Sequence, residues 1–362
     1  KGRENVLLQS NQFDTTWTLD SGMTLTSGQS GYDGSSDAWL LSKSAASYRE
    51  MKQSISLSGV NTFSLYAKAS TLSNVVFRFI STSGNHYARF NLSTGAVIST
   101  TGDVFDSNIE DIGSGWYRCS ATTNVTATQV YVYPDLESAT TAGNILIQDA
   151  QLEQGLAASP YIETTTTTAQ AGVLENTPRL NYTTGVANPY LLLEPSRTNL
   201  LVQSEYFGAW SNISQGTGST PTLSIGGDFP LGIGKYYNLQ CDLNGGTTTS
   251  DRSYILKGGL SATPFNAAKS IWIKNNSASE AVMFMGINFG VDKFTLAANA
   301  DWQRITIDGG IINNEFRIGL GGGSSQSNTI DVSIFGAQCE AGTYTTSYIP
   351  TYSVSATRAQ DV

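Results

Sequence analysis

Charge is scarce in this chain. Of its 362 residues, 14% are Asp, Glu, Lys or Arg, against about 25% in an average soluble protein. Binding nucleic acid requires clustered Lys and Arg to neutralise phosphates; here 20 basic residues are spread thinly against 29 acidic ones, for a net charge of −9. That balance excludes a nucleic-acid partner and disfavours an anionic membrane surface. Histidine occurs once, at His86, and cysteine three times, at Cys119, Cys241 and Cys339, with no CxxC pair. The shortage leaves no zinc site, no metalloenzyme and no dense disulfide framework, and the thiols read as small buried residues. No apolar run reaches the about 18–20 residues that cross a bilayer, and no basic-apolar signal segment opens the chain. Membrane insertion is therefore not expected. The first residue is Lys1 rather than Met, so a cleaved or preceding segment is expected ahead of it.

Periodic runs of Ala, Leu, Glu and Lys are also missing beyond short stretches such as Asp149–Gly155, which excludes long helices. In their place stand 36 glycines among abundant Ser, Thr and Asn. That is the composition of short strands joined by many turns, and the chain reads as all-β. Segments such as Val75–Ile80, Gln129–Tyr133 and Asn144–Gln148 alternate as half-buried strands do, with turn residues at Ser83-Gly84-Asn85 and Ser93-Thr94-Gly95 between them.

The halves repeat one another. Asn5-Val6-Leu7-Leu8-Gln9-Ser10 with Phe13 and Trp17 answers to Asn199-Leu200-Leu201-Val202-Gln203-Ser204 with Phe207 and Trp210. Phe63–Lys68 is echoed by Lys269–Lys274, Trp116-Tyr117-Arg118 by Trp302-Gln303-Arg304, and Ala150–Gly155 by Ala337–Gly342. Four anchors in one order define two modules of about 160 residues each, the size of a β-sandwich rather than of a solenoid repeat. The expected organisation is a first sandwich over 1–165, a Thr-rich linker and connecting strand over 166–195, and a second sandwich over 196–362. The run Thr164–Thr168 reads as an extended spacer, and Tyr190–Leu193 is apolar enough to pair as a strand. Two facing antiparallel sheets, a jelly roll, is the economical architecture for each module.

Candidate chemistry is sparse. Hydrolysis of a glycan would need two carboxylates about 5–10 Å apart in a groove. The one acidic cluster, Asp103, Asp106, Glu110 and Asp111, lies in a turn-rich segment and reads as a solvated loop or a structural Ca²⁺ loop. His86 has no nucleophile elbow near it and reads as a surface or groove residue. In both modules the Trp-x-Arg and Gln-x-Glu elements recur, so their expected role is structural: Arg118 paired with Glu153, and Arg304 with Glu340. Binding candidates are residues that the first module has and the second lacks: Tyr87, Arg89, Tyr131 and Tyr133, with Arg78 on a neighbouring strand and His86 beside them. Aromatic rings flanked by polar groups suit sugar rings. The second module has Gly319-Leu320-Gly321-Gly322-Gly323 in the matching region, where small residues would let another backbone approach in an assembly contact.

The residues just aligned carry a resemblance. Asn-Leu-Leu-x-Gln-Ser at a module start, Gly115-Trp116-Tyr117-Arg118, and Gly336–Gly342 followed by Thr346–Thr351 resemble the lectin-like sandwich modules of tailed-phage structural proteins, tail fibres among them. So do Ala356–Val362 and the connector Pro178–Tyr182 with Leu191–Leu201. Cys339 stands where Leu152 is the usual residue. The resemblance implies tandem jelly rolls of the concanavalin-like or carbohydrate-binding-module type on a virion surface or outside the cell. It implies a non-catalytic role, with host-surface polysaccharide and other virion proteins as partners; no cofactor is expected, apart from the Ca²⁺ that the acidic cluster could take. Because single sugar sites are weak, avidity favours a homo-oligomer, a trimer first. The alternatives are a capsid decoration or collar protein whose modules serve assembly alone, and the binding portion of a secreted polysaccharide-degrading enzyme.

Overall fold

In both halves the alternating segments form antiparallel strands, and a computed structural model describes residues 3–172, 179–181, 189–261, 263–287, 291–323 and 325–361. Parts of the expected connector, 173–178 and 182–188, lie outside the described residues. The chain divides into two units, residues 2–172 and 173–362.

In the first unit the framework strands are β1 (Ala38–Lys43), β2 (Met51–Leu57), β3 (Asn61–Ala69), β4 (Asn74–Ser81), β5 (Gly84–Asn91), β6 (Trp116–Thr123), β7 (Ala127–Tyr133) and β8 (Gly143–Gln154). They pair in the orders 1-8-3-6 and 2-7-4-5, the arrangement of a jelly roll. Because the chain keeps crossing between sheets, one core draws on both: Phe63, Leu65, Ile145 and Ile147 from the first, Phe77, Phe79, Val130 and Val132 from the second. Phe63 meets the edge of Phe77 with ring centroids 4.7 Å apart. Burial of each such side chain contributes about 1.5–3 kcal/mol.

In the second unit β9 (Lys235–Asp242), β10 (Arg252–Gly258), β11 (Phe265–Asn275), β12 (Ala281–Gly286), β13 (Lys293–Leu296), β14 (Gln303–Ile307), β15 (Glu315–Gly321) and β16 (Thr329–Ala341) pair as 9-16-11-14 and 10-15-12-13. Strand for strand this is the order of the first unit. The flanking strands correspond as well: Met23–Gln29 and Thr222–Asp228 extend one sheet, Thr18–Leu19 and Ser211–Gln215 the other. The first unit adds a hairpin whose arms join different sheets, Ala96–Thr101 on β5 and Val104–Gly113 on β6. Its second arm holds Asp106, Glu110 and Asp111, so these carboxylates follow an outer strand instead of ringing a loop. Glu110 and Asp111 are exposed neighbours with opposite facings. Among the described residues no group of three or more His, Cys, Asp or Glu converges as a metal site.

What closes each sandwich is a buried polar clamp. Asn5 is fully buried; its Oδ1 accepts the N–H of Leu7 (3.2 Å) and of Leu152 (3.1 Å), while Nδ2 donates to the carbonyls of Ala150 (3.1 Å) and Ile162 (2.9 Å). Asn199 repeats every bond, with Leu201 (3.2 Å), Cys339 (3.1 Å), Ala337 (3.2 Å) and Ile349 (2.8 Å). Ser10 Oγ accepts the N–H of Thr164 and meets Tyr161 Oη, as Ser204 does with Thr351 and Tyr348. Thr164 therefore belongs to the clamp and not to a spacer. Ala169–Ala171, within the expected linker, pairs with Arg3–Asn5, and Ala356–Arg358 pairs with Arg197–Asn199 in the same way. Tyr190–Leu192 does form a strand, against Arg179–Asn181.

β8 and β16 each bend at a bulge, where the register shifts between Gln148 and Gln151 and between Phe335 and Gln338. The residue that enters the left-handed region there is Asp149 (φ 55°) in one module and Gly336 (φ 62°) in the other, as such bulges demand. Beyond it, Gln151 and Gln338 accept the N–H of Ile162 and Ile349. Glu153 and Glu340 accept the N–H of Ser159 and Thr346.

The expected Arg118–Glu153 and Arg304–Glu340 pairs are corrected by the structure. Arg118 Nη2 donates to Ser64 Oγ and to the carbonyl of Ser159, and Arg304 Nη2 to Ser270 Oγ and the carbonyl of Thr346. Arginine and glutamate thus grip opposite ends of one residue, its C=O and its N–H, because the closing segment lies between them. The cation nearest Glu153 is Arg3, with Nε 3.9 Å from Oε2.

All three cysteines are free and buried. Burial pushes the Cys241 and Cys339 thiols up to about 12 and raises Cys119 as well. Since the thiolate is the reactive form, no thiol of the native protein should react with a colorimetric thiol reagent at pH 8, and all should after unfolding. Fast labelling of the native chain would contradict this. Asn5→Ala orphans buried backbone groups that each cost about 1–3 kcal/mol unpaired; urea unfolding should show the first module destabilised by about 2–4 kcal/mol, and an unchanged midpoint would refute the clamp.

Candidate functional site

Period two sorts the residues of the 2-7-4-5 sheet into two sets. Phe77, Phe79, Val130 and Val132 point into the core, which leaves Arg78, Tyr131 and Tyr133 on the outer face with Tyr87 and Arg89 of β5. Register then places them side by side: Tyr131 opposite Arg78, and Arg78 opposite Tyr87.

The Arg78 guanidinium lies 4.7 Å from the Tyr131 ring centroid and 5.7 Å from that of Tyr87. Its orientation is fixed by Nη1 donating to Tyr133 Oη (2.8 Å) and by Nε and Nη2 donating to Asn85 Oδ1 (3.2 and 2.9 Å). Arg89 sits 4.9 Å from the Tyr87 ring and grips Glu137 with Nε and Nη2. Burial alone would raise the Glu137 carboxyl, but the Arg89 hydrogen bonds outweigh it and hold the group below its ordinary range. Lys52 of β2, opposite Tyr131, brings its Nζ to 5.3 Å from the same ring. The result is an alternating layer of cations and tyrosines in which Tyr131 and Tyr133 are covered, at 5% and 1% exposure, while Tyr87, Arg78 and Arg89 are only partly buried. Cation–π contacts of this kind contribute about 0.5–1 kcal/mol when exposed and more when desolvated.

The sixth sequence candidate, His86, is elsewhere. Sequence proximity to Tyr87 does not bring it to the same face, because residue 86 faces inward when 87 faces out, and it is buried at 3% exposure. Nδ1 accepts the N–H of Asp103 (2.8 Å), which puts the ring proton on Nε2, facing Ser81 Oγ at 2.8 Å. The histidine anchors the turn between the hairpin arms. Lys52, Asn85, Gln129 and Glu137 join the face without having been singled out in sequence; the alternation of 51–57 in register with β7 was the available signal for Lys52.

The same face of the second module is built differently. Tyr254 meets the edge of Phe284 (5.8 Å), and Arg317 lies 5.5 Å from Tyr254 with Glu315 as its carboxylate partner. Gly319 has φ 148°, and a Cβ there would lie 2.5 Å from the Ser253 carbonyl. At this glycine, β10 of the same module makes the close backbone approach.

On the opposite outer face both modules carry an aromatic cluster under the loop before β1 or β9. Tyr32 stacks on Tyr66 (3.8 Å, 5°) with Trp116 at its edge, and Phe229 fills the corresponding place beside Trp272, Trp302 and Phe335. Duplication marks this as framework. One element is unique to the first module: Tyr32 Oη donates to Asp149 Oδ2 (2.9 Å), and Gln148 Nε2 donates to Asp37 Oδ1 (2.8 Å). Burial, then the Asp37 and Asp33 charges, push the Asp149 carboxyl up to about 7 despite the Tyr32 hydrogen bond.

The fold and the face define the class: a tandem jelly-roll β-sandwich protein with one polar-aromatic sheet face of its own in the first module. No family model matches the chain, and no curated protein matches it. Among solved structures it is similar to the tandem CBM22-1–CBM22-2 domains of Paenibacillus barcinonensis Xyn10C, at 13% identity over 94% of this chain and 98% of that one, with a TM-score of 0.31. It is also similar to the tandem CBM51 modules of Sp3GH98 from Streptococcus pneumoniae, at 10% identity over 94% and 99% of the two chains, with a TM-score of 0.25.

Asp149 yields a test with a definite sign. Its carboxyl is protonated in the folded state up to about pH 7, whereas the unfolded chain loses that proton near its ordinary value of about 4. Between those values the native state binds more protons, so this group's contribution to stability falls as pH rises, by up to about 1.4 kcal/mol per pH unit. Asp149→Asn, which keeps a residue tolerant of the left-handed bulge, should flatten the decline between pH 4 and 7 measured by urea unfolding. Parallel pH profiles for the two proteins would refute the assignment.

Proposed function

We propose that this is a non-catalytic carbohydrate-binding protein and that the outer face of the 2-7-4-5 sheet in its first module is where glycan docks. The observation that supports it is the layer of Arg78, Arg89, Tyr87, Tyr131 and Tyr133, held rigid by Asn85 and Glu137 and present in one module only. Because the Tyr131 ring is already covered by Arg78 and Lys52 and Tyr133 is buried, the groups offered to a sugar are guanidinium and amide donors and the Tyr87 edge. Recognition would therefore lean on hydrogen bonds to hydroxyls more than on ring stacking. The carboxylates here are engaged, Glu137 by Arg89 and Glu50 beside Tyr133, as suits binding rather than hydrolysis.

The setting follows from the sequence resemblance: an appendage of a tailed-phage virion, exposed outside the cell, docking to host-surface polysaccharide beside other virion proteins. Weak single sites would then act through several copies, a trimer first. The test is a glycan array and host polysaccharide probed with the full chain. Arg78→Gln should weaken binding tenfold or more, about 1.4 kcal/mol, and Arg317→Gln, on the second module's matching face, should leave it unchanged. The reverse pattern would move the site, and silence of the full chain on every carbohydrate would favour a purely assembly role.

A further inference from the structure

The second core holds a charged pair with no counterpart in the first. Phe63 of β3 opposes Leu152, and the corresponding pair in the second module is Lys269 opposing Cys339. Lys269 is fully buried, and its Nζ lies 2.6 Å from Oδ1 of Asp292, itself 4% exposed. Lys269 stands on β11 of one sheet, while Asp292 precedes β13 of the other, so the contact joins the two sheets of the sandwich.

Backbone holds both partners in place. The Asp292 carbonyl accepts the N–H of Met285 (2.9 Å), and its other carboxyl oxygen, Oδ2, accepts the N–H of Ile287 (3.1 Å). Gly286 (φ 142°) leaves room for Oδ2 that a Cβ would occupy, and a Cβ on Gly310 (φ 87°) would come within 3.3 Å of Nζ. Gly310 is itself pinned, its carbonyl accepting the N–H of Ala267 (2.9 Å). An amine and a carboxyl thus meet in a dry, fitted chamber. Taking two charges out of water is costly even when they pair, and the cost disappears if both are consumed.

We propose that Lys269 and Asp292 condense into an intramolecular amide that covalently ties the two sheets of the second module. One proton passes from the Lys269 ammonium to Oδ1 along the 2.6 Å contact. The nitrogen lone pair then attacks Asp292 Cγ, and negative charge gathers on Oδ2, where the Ile287 N–H already donates. The Cγ–Oδ1 bond breaks as a second nitrogen proton reaches that oxygen. One N–C bond forms, one C–O bond breaks, one water leaves, and no oxidant or other reactant is required. Fixed proximity supplies what dilute reactants lack. The cross-link is independent of what the first module binds, and it would resist the pulling that a surface-exposed protein meets.

The full chain, denatured after folding, should have a mass one water below that of its sequence. Trypsin should fail to cut after Lys269 and should yield a branched peptide containing Lys269 and Asp292. Lys269→Arg and Asp292→Ala should each restore the full sequence mass, and Asp292→Asn should lose ammonia instead of water while giving the same branched peptide. A wild-type chain at full sequence mass, with ordinary cleavage after Lys269, overturns the proposal whatever the variants do.

Discussion

Each sandwich depends on one buried asparagine. A β-sandwich whose first and last segments lie against the same strand must satisfy backbone groups at a place where no ladder runs, and water is excluded. Asn5 and Asn199 solve this with side-chain amides that imitate a peptide unit, two acceptor bonds and two donor bonds apiece. The bulges at Asp149 and Gly336 follow from the same requirement, since the strand must turn its carbonyl toward the asparagine. The Gln, Glu, Ser and Tyr that recur around it then fasten the closing segment over the outer face.

With the ends fastened, the strands between them are free to diverge. The first module uses that freedom on a sheet face, where Arg78 is turned into a fixed donor by Tyr133 and Asn85. It also gains a hairpin that extends both sheets and a buried acid, Asp149, beside Tyr32. The second diverges inside, where Lys269 and Asp292 occupy a core that is wholly apolar at the matching position of its twin. The same frame therefore carries its own polar layer on a sheet face in the first copy and a charged pair inside the core in the second.

Much of this was legible beforehand. The repeat anchors, read in order, gave two modules of one fold, because the clamp uses an amide of that reach and a serine of that size at the same places in both. Alternation likewise put Arg78, Tyr131 and Tyr133 on one face. It did not rescue His86, whose neighbours Asn85 and Tyr87 face outward while its own ring faces in. The arginine–glutamate pairs were expected from their joint recurrence, yet recurrence shows that two residues serve one structure and not that they touch. Ser159 and Thr346 stand between them.

By itself, then, the sequence determined the all-β class, the duplication, and the identity of the residues that close each module, since composition and local period act within a few residues of chain. Only the tertiary structure decided which cations cover which tyrosines, that Asp149 is surrounded by other acids, and that Lys269 meets Asp292. Those pairings join residues on different strands or loops, many of them tens of positions apart, and their distances depend on register and on where a bulge shifts it. No count of neighbours along the chain contains that information.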